Sequence, residues 1–212
     1  MSNSFLEFLR PHKTVPKTPW SAASRWDLNP ARIGVLFFGL FIFGLGDSLL
    51  IQSTIGNAPW SVLAQGVSGK LDITMGWSTF AISSLVLLLW IPLKEKPGFG
   101  TVANIVIIAG AIQLGIDFIP ATENTIVGLI YVFAGIALVG AGSSLYITCG
   151  LGPGPRDGLM TAIHHKSGIR VGRVRLAIEG TVLILGALLG GTLGVGTALF
   201  ALLIGQSIAI FL

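Results

Sequence analysis

Residues 44–60 read GLGDSLLIQSTIGNAPW and residues 140–156 read GAGSSLYITCGLGPGPR. The stretches lie 96 positions apart. Gly44-x-Gly46 returns as Gly140-x-Gly142, and Gly56-x-x-Pro59 returns as Gly152-x-x-Pro155. Extended outward, the same offset aligns 39–116 with 135–212 without a gap. Lys70, Ile73 and Gly76 recur as Lys166, Ile169 and Gly172, and Gly98-Phe-Gly100-Thr101 recurs as Gly194-Val-Gly196-Thr197. Self-similarity at a fixed offset marks a duplicated structural unit. Each copy holds an apolar run, a Gly-Pro break, a short segment and two more apolar runs.

Composition says where such a unit folds. Charged residues are 10 % of the 212, against a usual ~25 %, and AVILMFWYC residues are 52 %. Mean hydropathy is +0.84 and there are 29 glycines. Twenty-two charges cannot coat a soluble domain of this size, so the chain is read as an integral membrane protein. Soluble enzymes, nucleic-acid binders and secreted disulfide scaffolds are excluded, and no nucleic-acid partner is expected. The pI of about 9.6 comes from bases flanking apolar runs, where they act as topology signals. Cys149 is the only cysteine, so no internal disulfide forms.

Six apolar segments, at about 33–53, 75–93, 99–118, 126–148, 174–190 and 196–212, fit the ~17–25 residues that a helix needs to cross a bilayer. None alternates with period two, which argues against a β-barrel. Glycines inside them, such as Gly135 and Gly140, let helices approach closely. Segments 57–71 and 153–168 are too short or polar to cross. Each starts at Gly/Pro and reads as a short helix, either re-entrant or interfacial. Residues 1–32 are expected to be a basic cytoplasmic tail. Phe5, Leu6, Phe8 and Leu9 either form an interfacial helix anchored by Trp20 and Trp26 or stay unstructured. No apolar run starts early enough for a signal peptide, so the tail is expected to be retained.

With the N-terminus in the cytoplasm and six crossings, every Lys and Arg except Lys70 falls inside, as the positive-inside rule requires. Three crossings per copy is odd, so the second copy enters from the opposite face. The expected fold class is an all-α membrane protein: six transmembrane helices as two inverted three-helix repeats, 33–118 and 126–212, each with a short broken helix. Both termini are expected on the cytoplasmic side. Inverted repeats are a recurring plan of secondary transporters.

Gly56-Asn-Ala-Pro59-Trp60 and Gly152-Pro-Gly154-Pro155-Arg156-Asp157-Gly158 resemble the signatures of the YczE-like family of bacterial integral membrane proteins, grouped with the YitT/YyaS type. The resemblance covers about 33–212. It implies a bacterial inner-membrane location, a multi-span fold and no enzymatic activity. It also implies an acid after the first Pro-Trp, where this chain has Ser61.

The candidate substrate-binding residues are Asp47, Asn57, Pro59, Trp60, Gly154, Pro155, Arg156 and Asp157. Proline breaks leave helix ends unpaired, and such backbone is tolerated at membrane depth only when buried in protein or lining a wet cavity. Arg156 suits a carboxylate or phosphate. Asp47 is expected either to pair with Lys70 or to stand as a buried carboxyl. Arg175 and Glu179, spaced i, i+4, are expected to join Arg156 and Asp157 in one buried polar cluster. The pair is either structural or a proton-coupling or substrate site. His164 and His165 point about 100° apart on a helix, and no metal or other cofactor is expected. The leading expectation is a small transporter or channel-like permeation protein with its site between the repeats, taking a small anionic solute. The alternative is a regulatory or assembly protein acting through a membrane-protein partner, and homo-oligomerisation fits either. A lipid-modifying enzyme ranks last. The bilayer is the one obligatory partner.

Overall fold

The computed structural model describes residues 16–212. The expected interfacial helix at Phe5–Leu9 lies outside the described residues. Within them the chain folds as nine helices and no strand. They are α1 (Pro30–Gln52), α2 (Pro59–Leu71), α3 (Met75–Leu88), α4 (Trp90–Leu93), α5 (Phe99–Phe118), α6 (Thr125–Thr148), α7 (Pro155–Ser167), α8 (Val171–Leu188) and α9 (Val195–Phe211). Pro92 cannot supply an amide to the Leu88 carbonyl, so α3 stops there and α4 adds one turn. Four helices are long and apolar enough to cross a membrane: α1, the continuous α3–α4 stretch, α5 and α6. The chain is a helical membrane protein. Helix α9 is apolar but has 17 residues, and α8 carries Arg173, Arg175 and Glu179.

Local signals recur at the 96-residue offset. Pro59 opens α2 and Pro155 opens α7, each at the first position, where a missing N–H costs nothing. Both short helices end on a left-handed cap, Asp72 and Gly168. The breaks before them turn on Gly56 and Gly152, at φ +124 and +112, a region that side chains strongly disfavour.

Helices α1 and α6 cross antiparallel at the centre through their glycines. A Cβ on Gly142 would stand 2.5 Å from the Gly39 carbonyl oxygen, and one on Gly135 would stand 2.6 Å from that of Gly46. These two contacts exchange under the offset, because Gly39 corresponds to Gly135 and Gly46 to Gly142. Backbone bonds do the same. Gly100 N–H donates to Leu151 O at 2.8 Å, and Gly196 N–H donates to Ile55 O at 2.9 Å. Such reciprocal contacts have the form of an isologous interface.

One pair of seams breaks the correspondence. Between α3 and α5, Gly76 sits so close that a Cβ would meet the Ala109 carbonyl oxygen and Gln113 Cβ at 2.9 Å. Gly76 N–H also donates to Gln113 Oε1 at 3.0 Å. Between α8 and α9, the equivalent Gly172 and Gly205 have nothing within 4 Å of a built Cβ. The first seam is closed and the second is open.

Residues 20–27 strap across the end of α6. Trp20 Nε1 donates to Thr148 Oγ1 at 3.0 Å, and Ala22 N–H donates to Cys149 O at 2.9 Å. Arg32 ties the strap to α1 by donating from Nε to Trp20 O at 2.7 Å. Trp20, expected as a headgroup anchor, therefore packs inward because its indole finds an acceptor there. Trp26 is 57 % exposed.

Candidate functional site

A cavity of about 250 Å³ lies where the two breaks meet. Its wall pairs residues 96 apart: Asp47 with Ser143, Trp60 with Arg156, Asn104 with Phe200, and Ile108 with Ile204. The cavity therefore takes its wall from equivalent positions of both copies. Trp60 and Arg156, at the starts of α2 and α7, touch across it. The guanidinium lies 5.3 Å from the indole centroid, within cation–π range. Both helices thus point their N-terminal, positive ends at the cavity.

Ser61 Oγ, on the first turn of α2, donates to Asp47 Oδ2 at 2.9 Å. Asp47 is five residues short of the end of α1. The start of α2 has therefore folded back more than a helical turn alongside α1, as a re-entrant segment does. Tyr146 Oη donates to Asp157 Oδ2 on the first turn of α7. Trp90 Nε1 donates to Pro155 O at 3.0 Å, and its ring fills the space that a side chain at position 158 would take. That contact fixes α7 against α4.

Of the sequence candidates, Asp47, Pro59, Trp60, Gly154, Arg156, Asp157, Arg175 and Glu179 all line this cavity. Asn57 and Pro155 do not. Asn57 is fully buried and its Nδ2 donates to Gln65 Oε1 at 2.8 Å. Of the two alternatives for Asp47, the structure shows the buried carboxyl, 1 % exposed and held by Ser61, while Lys70 lies at the exposed far end of α2. One expectation needs correction. Arg156, Asp157, Arg175 and Glu179 do not form a buried, mutually paired cluster. Arg175 Nε and Glu179 Oε1 pair at 2.9 Å with side chains 41 % and 22 % exposed, since the open α8–α9 seam uncovers them. Asp157 is exposed and takes the tyrosine hydroxyl, and Arg156 lies over Trp60.

Tyr146, Asn104 and Ser143 are cavity residues that sequence reasoning did not nominate. The repeat offset applied to Asp47 leads to Ser143. Tyr146 had no such signal, because its counterpart is Leu50. A second cavity of about 350 Å³ reaches Tyr146 and Asp157 from the other side, past Arg25 and Gly152. The Tyr146–Asp157 bond is thus the partition between the two spaces. Arg25 is held at its mouth by Glu95 at 3.0 Å. Just beyond α6, burial pushes the Cys149 thiol up to about 11, against a smaller opposing effect of Arg32.

A family model described as a family of unknown function (DUF6198) matches residues 30–212. The chain belongs to this family. Its YczE-like character is shown by its relatives. The "Uncharacterized membrane protein YczE" of Bacillus subtilis is 36 % identical over 172 residues, covering 80 % of each chain. The "Uncharacterized protein YyaS" of the same organism is 29 % identical over 182 residues, covering 82 % of this chain and 89 % of that one. An "Uncharacterized protein" of Haemophilus influenzae is 41 % identical over 200 residues, covering 94 % of this chain and 92 % of the other. No solved structure matches this DUF6198 chain.

Proposed function

We propose that this DUF6198 protein is a small secondary transporter of the bacterial inner membrane, with six spans in two inverted repeats and a solute site between them. The single observation that carries the reading is the central cavity, walled by equivalent residues of both halves and by the starts of both broken helices. Solute sites in inverted-repeat transporters lie at the repeat interface, among discontinuous helices. Helices α8 and α9 supply the fifth and sixth spans. The exchanged contacts at Gly39/Gly142 and Gly46/Gly135 support a two-fold relation. Three spans per half turn that axis into the membrane plane, and both termini are cytoplasmic.

The unequal seams favour a transporter over a fixed channel. One half is closed at Gly76–Gln113 while the other is open at Gly172. Exchange of the two conformations between the halves would open the cavity to the opposite face, which is alternating access. A partner-binding protein without transport has no need of a charged cavity. Transport through this cavity needs no enzymatic step, and the proposal includes none.

The test places a single cysteine at Ser143 in a Cys149→Ser background. A membrane-impermeant thiosulfonate is added from each side of oriented membrane vesicles. Labelling from the cytoplasmic side is expected. A folded protein that is labelled from neither side has a sealed cavity, and the transport reading falls.

A further inference from the structure

We propose that the central cavity binds a small zwitterion of the α-amino-acid class, with its carboxylate on Arg156 and its ammonium group on Asp47. This deepens the reading of the cavity as a solute site between the halves and rests on it.

Five ionisable side chains other than Tyr146 line the cavity. Arg175 and Glu179 satisfy each other at 2.9 Å, and Asp157 receives the Tyr146 hydroxyl. Two opposite charges remain, one from each half. Asp47 has only the Ser61 hydroxyl, at 2.9 Å, and is 1 % exposed. Arg156 has the Trp60 ring and no carboxylate within 4 Å among the described residues. Charges held apart in a low-dielectric space are costly unless something bridges them. A simple anion would answer Arg156 while facing three carboxylates. A simple cation would answer Asp47 while facing an unpaired guanidinium. A molecule carrying both charges answers both.

The surroundings match the two ends. At the Arg156 end, the start of α7 adds its positive helix terminus. Trp60, 7 % exposed, is the stacking partner of the guanidinium at this end. Ammonium groups seek carboxylates, and Asp47 supplies one. Phe43, Ile108 and Ile204 form an apolar wall for carbon, the usual division of labour in a solute pocket. At about 30 Å³ per water, a cavity of about 250 Å³ holds roughly eight non-hydrogen atoms, the size of a small amino acid.

The full chain, purified in detergent, is titrated calorimetrically with L-alanine, propionate and ethylammonium. The two single-charge molecules each keep one end of L-alanine. L-Alanine is expected to bind about 10- to 100-fold more tightly than either, the factor that one charge-assisted hydrogen bond supplies. Asp47→Asn and Arg156→Gln should each remove the advantage. Propionate binding as well as L-alanine, with loss only in Arg156→Gln, would make this an anion site and overturn the proposal. Ethylammonium binding as well, with loss only in Asp47→Asn, would overturn it in favour of a cation. No binding of any of the three overturns it too. If the variants do not fold, protection replaces them. L-Alanine should slow thiosulfonate labelling of the Ser143→Cys reporter, and propionate and ethylammonium should not. A reporter that is labelled but unprotected by L-alanine sinks the zwitterion while leaving the transport reading standing. A reporter that is never labelled sinks the transport reading itself.

Discussion

Asp47 and Asp157 reach the same cavity from opposite halves of the chain and from non-equivalent positions. The offset pairs Asp47 with Ser143 and Ser61 with Asp157. Each half therefore carries one acid and one serine at the same two sites, with the residues exchanged. The missing acid at Ser61, which the family resemblance leads one to expect, is replaced by Asp47 on the neighbouring helix. Ser61 donates to it at 2.9 Å.

The exchange predicts an epistatic pair. Asp47→Ser alone strands the Ser61 hydroxyl and removes one cavity carboxylate. Ser61→Asp alone sets two acids side by side. The double variant Asp47→Ser/Ser61→Asp restores one acid and one donor, in the order that the second half already uses. It should melt within about 1 kcal/mol of the parent, with each single variant losing about 1–3 kcal/mol. Additive losses in thermal melts would mean that the two sites do not share the acid.

The glycine crossing gives a sharp steric contrast. Gly142→Leu drives a side chain into the Gly39 carbonyl, 2.5 Å from a built Cβ. Nothing there can yield without separating α1 from α6, so loss of folded yield is expected, at the upper end of the ~1–3 kcal/mol of overpacking or beyond. Gly34→Ala on the same helix α1 meets nothing within 4 Å and should be neutral or gain up to ~1 kcal/mol in helix propensity. Size-exclusion profiles of the two variants decide it. Equal profiles would refute the close crossing.

Much of this architecture is legible in the residues. The Gly-Pro breaks announce α2 and α7, because proline cannot continue a helix. The offset pairs Trp60 with Arg156, but that the two meet across the cavity is seen only in the fold. The i, i+4 spacing of Arg175 and Glu179 foretells their pair. Other features depend on packing that no linear pattern encodes. Asn57 looks like a site residue from its place in the break, yet it turns away to Gln65. The open seam at α8–α9 is invisible because Gly76 and Gly172 are the same residue in the same repeat position. Their neighbours differ: Gln113 against Ala209, and Ala109 against Gly205.

Cys149 should be an inert thiol in the folded protein. It is fully buried, with its thiol pushed to about 11 from a reference of 9.0. Two units lower the thiolate fraction at neutral pH about 100-fold, before any steric exclusion. Alkylation by iodoacetamide should be at least that much slower than in the unfolded chain. The sign for stability follows. A thiol whose value is raised by folding contributes fully below about 9, and that contribution is lost as pH climbs toward 11. Fast alkylation of the native protein at pH 7 would show that Cys149 is not packed as described.

The seams make the most demanding prediction, because they tie the fold to the proposed motion. In a Cys149→Ser background, Gly76→Cys with Gln113→Cys joins α3 to α5 where a built Cβ stands 2.9 Å from that of Gln113. The equivalent pair in the other half is Gly172→Cys with Ala209→Cys, across the open α8–α9 seam. The first pair should oxidise readily in the resting protein. The second should oxidise slowly, because its seam is open, and its rate should rise when the first seam is destabilised. Gln113→Ala serves for this, since it deletes the acceptor of the Gly76 N–H at 3.0 Å. Reciprocal rates are what two halves exchanging one closed conformation require, because closing one seam excludes closing the other around the same cavity. A second pair that stays unlinked in both backgrounds, with the first pair linked in the resting protein, describes a static asymmetry. In that case the seams are fixed features of the fold and not the two gates of a transport cycle.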